Sequence, residues 1–349
     1  MQQRIDAFVK LGTFLSQFSP SGIKKKEHIA YNDLFFDGFK HQIKLAEENN
    51  SWFTNDNILF SLDSWANALT KDNLSKWTSN HTFQNSEKKV AVIMAGNIPL
   101  VGFHDFLSVL ISGHTVLVKQ SSSDTNLMPF LAKYLEYIEP SFKNKIIFTE
   151  GNLTNFDAVI ATGSNNTARY FEHYFKGKPS IIRKNRNSVA VLTGKESDTE
   201  LANLSNDVFQ YFGLGCRSVS KLFVPEGYNF DAFFNGMHTK KEIINNAKYA
   251  NNYDYNKAVY LMSLFDLLEN GFLMIKEDKS YSSPIATVFY EYYSDINQLK
   301  EKLNTDADKI QCVVSNGILD SEIAFGETQN PQLWDYADGI NTLEFLARI

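Results

Sequence analysis

Hydrophobic positions fall into two textures along the 349 residues. Over residues 1–85, apolar and aromatic side chains recur at helical spacing among polar ones. Phe8, Leu11, Phe14, Leu15 and Phe18 make one stripe, and Trp65 and Leu69 belong to a second. That period predicts amphipathic helices. Pro20 and Gly22 end the first of them, and Lys24, Lys25 and Lys26 read as a solvated turn. From residue 88 short unbroken apolar runs take over. Residues 89–95, 115–119, 145–149, 157–162 and 188–192 read as buried strands. Residues 99–112, 124–138 and a stretch from Ser164 through Phe175 read as the helices between them. Continuous apolar strands alternating with helices predict a doubly wound parallel sheet covered on both faces. In such sheets ligands sit beyond the carboxyl ends of the strands. A helix over 198–212 then leads into the glycine-rich stretch Gly213-Leu214-Gly215-Cys216-Arg217-Ser218. Strands at 221–224, 285–290 and 309–314, with helices at 229–237 and 255–268, predict a second α/β unit.

Composition narrows the function classes. Lys plus Arg number 34 against 40 Asp plus Glu, a formal charge of −6. A dedicated nucleic-acid binder needs a cationic surface for phosphate contacts, so the charge argues against that class. At 43% hydrophobic and 21% charged residues the chain is ordinary globular material. Its two cysteines, Cys216 and Cys312, make no disulfide framework, and the expected compartment is the reducing cytoplasm. The apolar stretch 100–111 is broken by Gly102, His104 and Asp105, so no membrane span is expected. No signal-peptide apolar core follows Met1-Gln2-Gln3-Arg4.

The usual dinucleotide fingerprint and the P-loop are both missing from the sequence. Other residues carry chemistry instead. Thr162-Gly163-Ser164 stands at a strand-to-helix junction. Backbone N–H groups there, with the Ser164 hydroxyl, suit one phosphate; the plainer role of Ser164 is a helix N-cap. Gly96-Asn97-Ile98-Pro99 follows the first strand. Asn97 either caps the next helix or aims its amide at a developing oxyanion. Cys216, beside Arg217 and Ser218, is either a nucleophile or a small buried hydrophobe. Cys312 lies in the apolar run 310–314 and reads as core. His104 follows Asn97 by about two helical turns and is either a proton donor in the same cleft or a packing histidine. No metal-ligand spacing and no Ser-His-Asp arrangement is identifiable.

The ordered set Gly96-Asn97-Ile98-Pro99, Val118-Lys119, Thr162-Gly163-Ser164 and Cys216 with Ser220-Lys221 resembles the aldehyde dehydrogenase superfamily over residues 90–225. A weaker match continues at Ser283-Pro284 and through residue 314. Within that superfamily the chain looks most like the acyl-CoA reductases of the LuxC type. The similar pieces are the Asn97 motif, Ser112-Gly113-His114 leading into residues 117–124, and Trp334-Asp335 with Asp338-Gly339. The resemblance implies two doubly wound α/β domains with the active site in the cleft between them. It implies a helical segment over 1–85 packed on a cofactor domain at 86–197, and a catalytic domain over 198–325. Residues 326–349 would return to the cofactor domain or form an oligomer interface.

For the site, the resemblance implies Cys216 as nucleophile, Asn97 as oxyanion donor and His104 as proton donor. It implies Lys119, Ser121, Ser122, Thr162, Gly163 and Ser164 around the cofactor. The Glu that often binds the adenosine ribose after the Lys is replaced by Ser122, which makes room for a 2′-phosphate and favours NADPH over NADH. The Glu general base of hydrolytic members is replaced by Arg183 or Lys184, and the Glu before Phe-Gly-Pro by Ser280. Loss of the base suits transfer of acyl groups to and from a thiol such as CoA. The partners implied are an activated acyl donor, a second copy of the chain and, in some systems, an acyl-transferring protein. The tail 341–349 and residues 310–330 are the segments expected to pair copies. Two other readings share these features: an acyl-phosphate reductase of the glutamyl-phosphate type, and a non-catalytic scaffold that keeps the fold.

Overall fold

The computed structural model describes every residue except 84, 85 and 320. The expected boundary at residue 85 lies outside the described residues. The chain forms two compact units, Met1–Lys184 with Gln332–Ile349, and Asn185–Pro331.

The first unit begins with α1 (Gln2–Leu15), a short hairpin of β1 (Phe18–Ser19) and β2 (Gly22–Ile23), α2 (Asn32–Asn49), α3 (Asn55–Ala68) and α4 (Lys71–Thr78). Thr54 and Thr70 each accept a backbone N–H at the start of α3 and α4, which fixes where those helices begin. β3 (Lys89–Ile93), α5 (Phe103–Ser112), β4 (Thr115–Lys119), α6 (Leu127–Ile138), β5 (Ile146–Phe148), β6 (Ala158–Thr162), α7 (Asn165–Tyr174) and β7 (Ser180–Arg183) follow. The sheet runs β5-β4-β3-β6-β7, parallel throughout. Successive side chains of a strand point to opposite faces. Val90, Val92, Val116 and Val118 accordingly join the large core shared with the N-terminal helices, while Ala91 and Leu117 join a smaller core beneath α7. Burial on both faces is the reason these strands read as unbroken apolar runs. Phe14 of α1 stacks on Tyr134 of α6 at 4.3 Å, so the aromatic stripe of residues 1–85 is core.

The sequence expectation differs from the structure at the fifth strand. Ser180–Arg183 closes the first sheet, whereas the strand expected there at 188–192 is Asn187–Val191, a strand of the other sheet. The first unit therefore ends at Lys184 and not at residue 197. The strand escaped notice because it is short and runs into Arg183, Lys184 and Arg186. Arg183 is nevertheless buried, since its guanidinium pairs with the buried Asp105 of α5 and donates to Thr342 Oγ1 at 3.1 Å.

The second unit contains β8 (Asn187–Val191), α8 (Asp198–Phe209), β9 (Val219–Pro225), α9 (Asp231–Met237), α10 (Ala247–Met262), β10 (Leu268–Glu269), β11 (Met274–Glu277), β12 (Thr287–Tyr293), α11 (Ile296–Thr305) and β13 (Ile310–Val314). Its sheet runs β10-β11-β12-β9-β8-β13, with only the β10–β11 pair antiparallel among the described strands. Ser197 and Glu200 form a reciprocal capping box at the start of α8. α10 begins earlier than the expected 255, because its first turns are polar and bury only Tyr249 and Tyr253. Cys312 is buried in β13, as its apolar surroundings predict. Residues 326–331 stay with this unit. The chain then re-enters the first unit, where α12 (Thr342–Arg348) packs on α5. No helix among the described residues is long and apolar enough to cross a membrane.

Candidate active site

In the first sheet the chain moves outward from β3 to β4 and β5, then returns to β6 on the other side of β3. The carboxyl ends flanking such a reversal form the ligand crevice of open α/β sheets. Most of the residues singled out in the sequence stand there. Ile93 at the end of β3 is in register with Lys119 on one side and Ala161 on the other. Lys119 and the Thr162-Gly163-Ser164 junction thus lie two strands apart, about 10 Å.

The Asn97 turn is built from both sides. At Gly96 an added Cβ would lie 2.6 Å from Ser121 Cβ and Oγ, so only glycine lets the loops after β3 and β4 approach this closely. Leu100 takes a positive φ of 57°. Its N–H donates to Asp124 Oδ2 at 3.0 Å, and Ser61 Oγ donates to Pro99 O at 3.1 Å. The helix expected from Pro99 begins instead at Phe103, with Gly102 at its N-cap position. The capping alternative for Asn97 is therefore not realised, and its side chain is exposed beyond the strand end.

Asp124 is the residue that sequence reasoning missed here. It is buried, and its Oδ1 has no hydrogen-bond partner among the described residues. Burial pushes its carboxyl up to about 6, against the opposing pull of the Leu100 N–H. The sign follows from linkage. The folded state holds this proton more tightly than the unfolded state, so stability is full below about 3.8 and falls as pH rises through about 6. The loss is about 3 kcal/mol. Asp124→Asn keeps an acceptor for Leu100 and cannot ionise. Thermal melts from pH 4 to 8 should show the variant gaining on wild type by roughly that amount as pH rises. A stability difference independent of pH would remove this assignment.

Lys119 is half-buried and donates from Nζ to Gly151 O at 3.1 Å. Ser121 Oγ accepts the Ser123 N–H at 3.3 Å, and Ser122 is exposed on the same loop. Thr162 ends β6, and the Gly163 N–H donates to Arg183 O at 3.3 Å. Ser164 is the N-cap of α7, with Oγ accepting the Thr167 N–H at 3.2 Å. Ser164, Asn165 and Asn166 are exposed, so the N-terminus of the helix faces solvent.

His104 is placed differently from the expectation. Nε2 lies 2.9 Å from Leu333 O, so it carries the proton and donates. The ring packs against Trp77 at 5.3 Å and Tyr336 at 5.8 Å. Burial lowers its pKa despite the neighbouring Asp105. The side chain joins α5 to residues 333–336, which is the packing role. Arg183, at the place of the missing general base, is committed to its buried pair with Asp105, and Lys184 pairs with Glu172 at 2.8 Å.

Cys216 belongs to the second unit, on an exposed turn between α8 and β9. Tyr211 and Phe212 enter it at φ of 55° and 58°, followed by Gly213 at 76°. Two bulky residues in the left-handed region are strained, which marks a turn held by its surroundings. Both are buried, which supplies that hold. The Cys216 carbonyl accepts from the buried Ser188 Oγ at 3.0 Å. Arg217 donates from Nε to Thr328 O, and Gln329 Nε2 donates to Ser218 Oγ at 3.3 Å. Cys216 is thereby presented to solvent on a turn with fixed sides. Ser280 is exposed, with its N–H on Asp278 Oδ1 at 2.8 Å. No group of three or more His, Cys, Asp or Glu among the described residues is arranged to hold a metal ion.

The family model described as acyl-CoA reductase (LuxC) matches residues 52–232. No curated protein matches the sequence. Solved structures similar over most of the chain include aldehyde dehydrogenases. Aldehyde dehydrogenase 21 from Physcomitrella patens, solved with the reaction product succinate, is 13% identical with a TM-score of 0.63, covering 90% of this chain and 73% of that one. The aldehyde dehydrogenase KauB from Pseudomonas aeruginosa is 12% identical, TM-score 0.63, covering 90% and 72%. An NAD-dependent aldehyde dehydrogenase from Sinorhizobium meliloti is 14% identical, TM-score 0.61, covering 93% and 71%. At these identities the likeness establishes the fold.

Proposed function

The chain belongs to the acyl-CoA reductase (LuxC) family of oxidoreductases, on the aldehyde dehydrogenase fold, and we propose that it reduces a medium- or long-chain acyl-CoA to the aldehyde through an acyl thioester on Cys216. The observation that carries this reading is the exposed Cys216 on a turn tied down on both sides.

In the proposed reaction the Cys216 thiolate attacks the thioester carbonyl carbon. The side-chain amide of Asn97 and the backbone N–H of Cys216 hold the oxyanion. The carbon–sulfur bond to CoA breaks, CoA leaves as its thiolate, and the acyl group stays on Sγ. Arg183 and Lys184, which stand where the resemblance puts the general base of hydrolytic members, are engaged with carboxylates and supply no base to activate water. Reduction of this thioester needs a hydride, which a nicotinamide would supply when bound. Expulsion of the Cys216 thiolate then releases the aldehyde without a proton donor, which agrees with the packing role of His104. The residues present fit such a cofactor. Lys119 suits its ribose, Gly163 and Ser164 at the exposed start of α7 suit its phosphate, and Ser121 and Thr162 line the same strand ends. Ser122, a small hydroxyl where a carboxylate excludes a 2′-phosphate, favours NADPH.

Absorbance at 340 nm, with NADPH and acyl-CoAs of increasing length, tests the reading. NADPH consumption that peaks at medium or long chains is expected. Consumption with acyl phosphates alone would transfer the chain to the acyl-phosphate reading. Asn97→Ala should lower kcat/KM by about 10²–10³, with an unchanged melting temperature. Undiminished turnover would take Asn97 out of the oxyanion role.

A further inference from the structure

Beside the Cys216 turn, in the same unit, lies a buried carboxylate that the reaction above does not use. Asp207 sits in the last turn of α8 with no exposed surface. Its Oδ2 accepts the Gly326 N–H at 2.7 Å. Its Oδ1 accepts the Thr328 N–H at 3.0 Å and the Thr328 hydroxyl at 2.8 Å. Every one of these partners is a donor. An asparagine would turn its NH2 toward at least one of them, so the surroundings call for an acceptor-only side chain. The loop lies flat on α8. Gly326 has a φ of +91°, and an added Cβ there would come within 3.0 Å of Asn203 Cβ.

The same loop reaches the nucleophile's turn. Thr328, held at its N–H and its hydroxyl by Asp207, offers its carbonyl to Arg217 Nε. Gln329, the next residue, donates to Ser218 Oγ at 3.3 Å. Arg217 and Ser218 directly follow Cys216 in the chain. On the other side, Ser188 of β8 holds the Cys216 carbonyl. The turn is thus gripped between a strand and a loop, and Asp207 holds that loop at both Gly326 and Thr328.

Resting on the acyl-transfer reading, we propose that Asp207 is a positioning residue for Cys216, acting through Thr328 on the turn that carries the nucleophile. Burying a carboxylate with no cation bonded to it is costly, and three hydrogen bonds offset that cost. Removing any of them frees the loop, then Arg217, then the cysteine. A residue serving only stability would leave the reactivity of the folded enzyme unchanged.

The test uses the full chain and two readouts, the rate of Cys216 alkylation by iodoacetamide, followed by mass spectrometry, and the rate of acyl-enzyme formation from acyl-CoA. Thr328→Val removes the hydroxyl bond to Asp207 while keeping the side-chain shape, and Thr328→Ser restores it. Asp207→Asn breaks the anchor itself. Expected are changes of about tenfold or more in both rates for Asp207→Asn, a smaller change for Thr328→Val, and wild-type rates for Thr328→Ser. Variants that melt lower but keep both wild-type rates would overturn the proposal. Should Asp207→Asn fail to fold, the Val and Ser pair decides alone: equal rates in the two overturn the proposal. If wild type forms no acyl-enzyme, the acyl-transfer reading fails, whereas the alkylation rates still report on the positioning.

Discussion

Cys216→Ala is expected to lower acyl-CoA reduction by a factor on the order of 10⁴ or more, because the variant has no atom on which to form the covalent intermediate. The effect should be confined to chemistry. Cys216 is exposed on its turn, so its truncation leaves no core cavity and the melting temperature should stay within about 1 °C. Binding of the nicotinamide cofactor should persist, since the residues proposed to hold it lie in the first unit. Cys312 cannot take over, being buried in β13. Mass spectrometry after mixing with acyl-CoA, without NADPH, should show one added acyl group on wild type and none on the variant. An acylated variant would exclude Cys216 as the nucleophile.

Arg183→Met should destabilise the protein by roughly 3–5 kcal/mol, the usual cost of breaking a buried ion pair from one side. Asp105 would keep a charge in the core, and its Oδ1 already lacks a partner among the described residues. At about 2–4 °C per kcal/mol the melting temperature should fall by on the order of 10 °C. The double variant Arg183→Met, Asp105→Leu should recover most of that loss, since replacing both members of a buried pair by apolar groups is often neutral. A single variant as stable as wild type, or a double variant no better than the single, would show that the pair does not carry this weight. Arg183 also donates to Thr342, so the single variant should expose residues 342–348 to faster hydrogen exchange.

The strands and helices legible in the sequence are those whose burial has a simple period. β3, β4 and β6 are buried on both faces and stand out as unbroken apolar runs. β7 hid because its last residue is charged, and only the distant Asp105 makes Arg183 tolerable inside. The motifs at Asn97, Lys119, Ser164 and Cys216 were visible because they are local stretches of chain. What supports them was not. Asp124 looked like part of a helix start, yet it holds the Leu100 N–H. Ser188, Asp207 and Thr328 meet around the Cys216 turn from well-separated stretches of sequence, and no local signal announces that meeting. His104 was ambiguous for the same reason, since its partners Leu333 and Tyr336 lie far along the chain.

The first unit is discontinuous in sequence, with residues 185–331 intervening before Leu343 and Leu346 complete its core. During synthesis the second unit is a contiguous stretch and can fold as soon as it emerges from the ribosome. The first emerges earlier but must wait for α12, leaving the α5 surface that this helix covers open meanwhile. Order of emergence and order of completion are therefore reversed, and the interval is the time needed to translate the whole of the second unit. In that interval the α5 surface that α12 later covers stays open, the kind of incompletely buried surface on which chaperones and aggregation act.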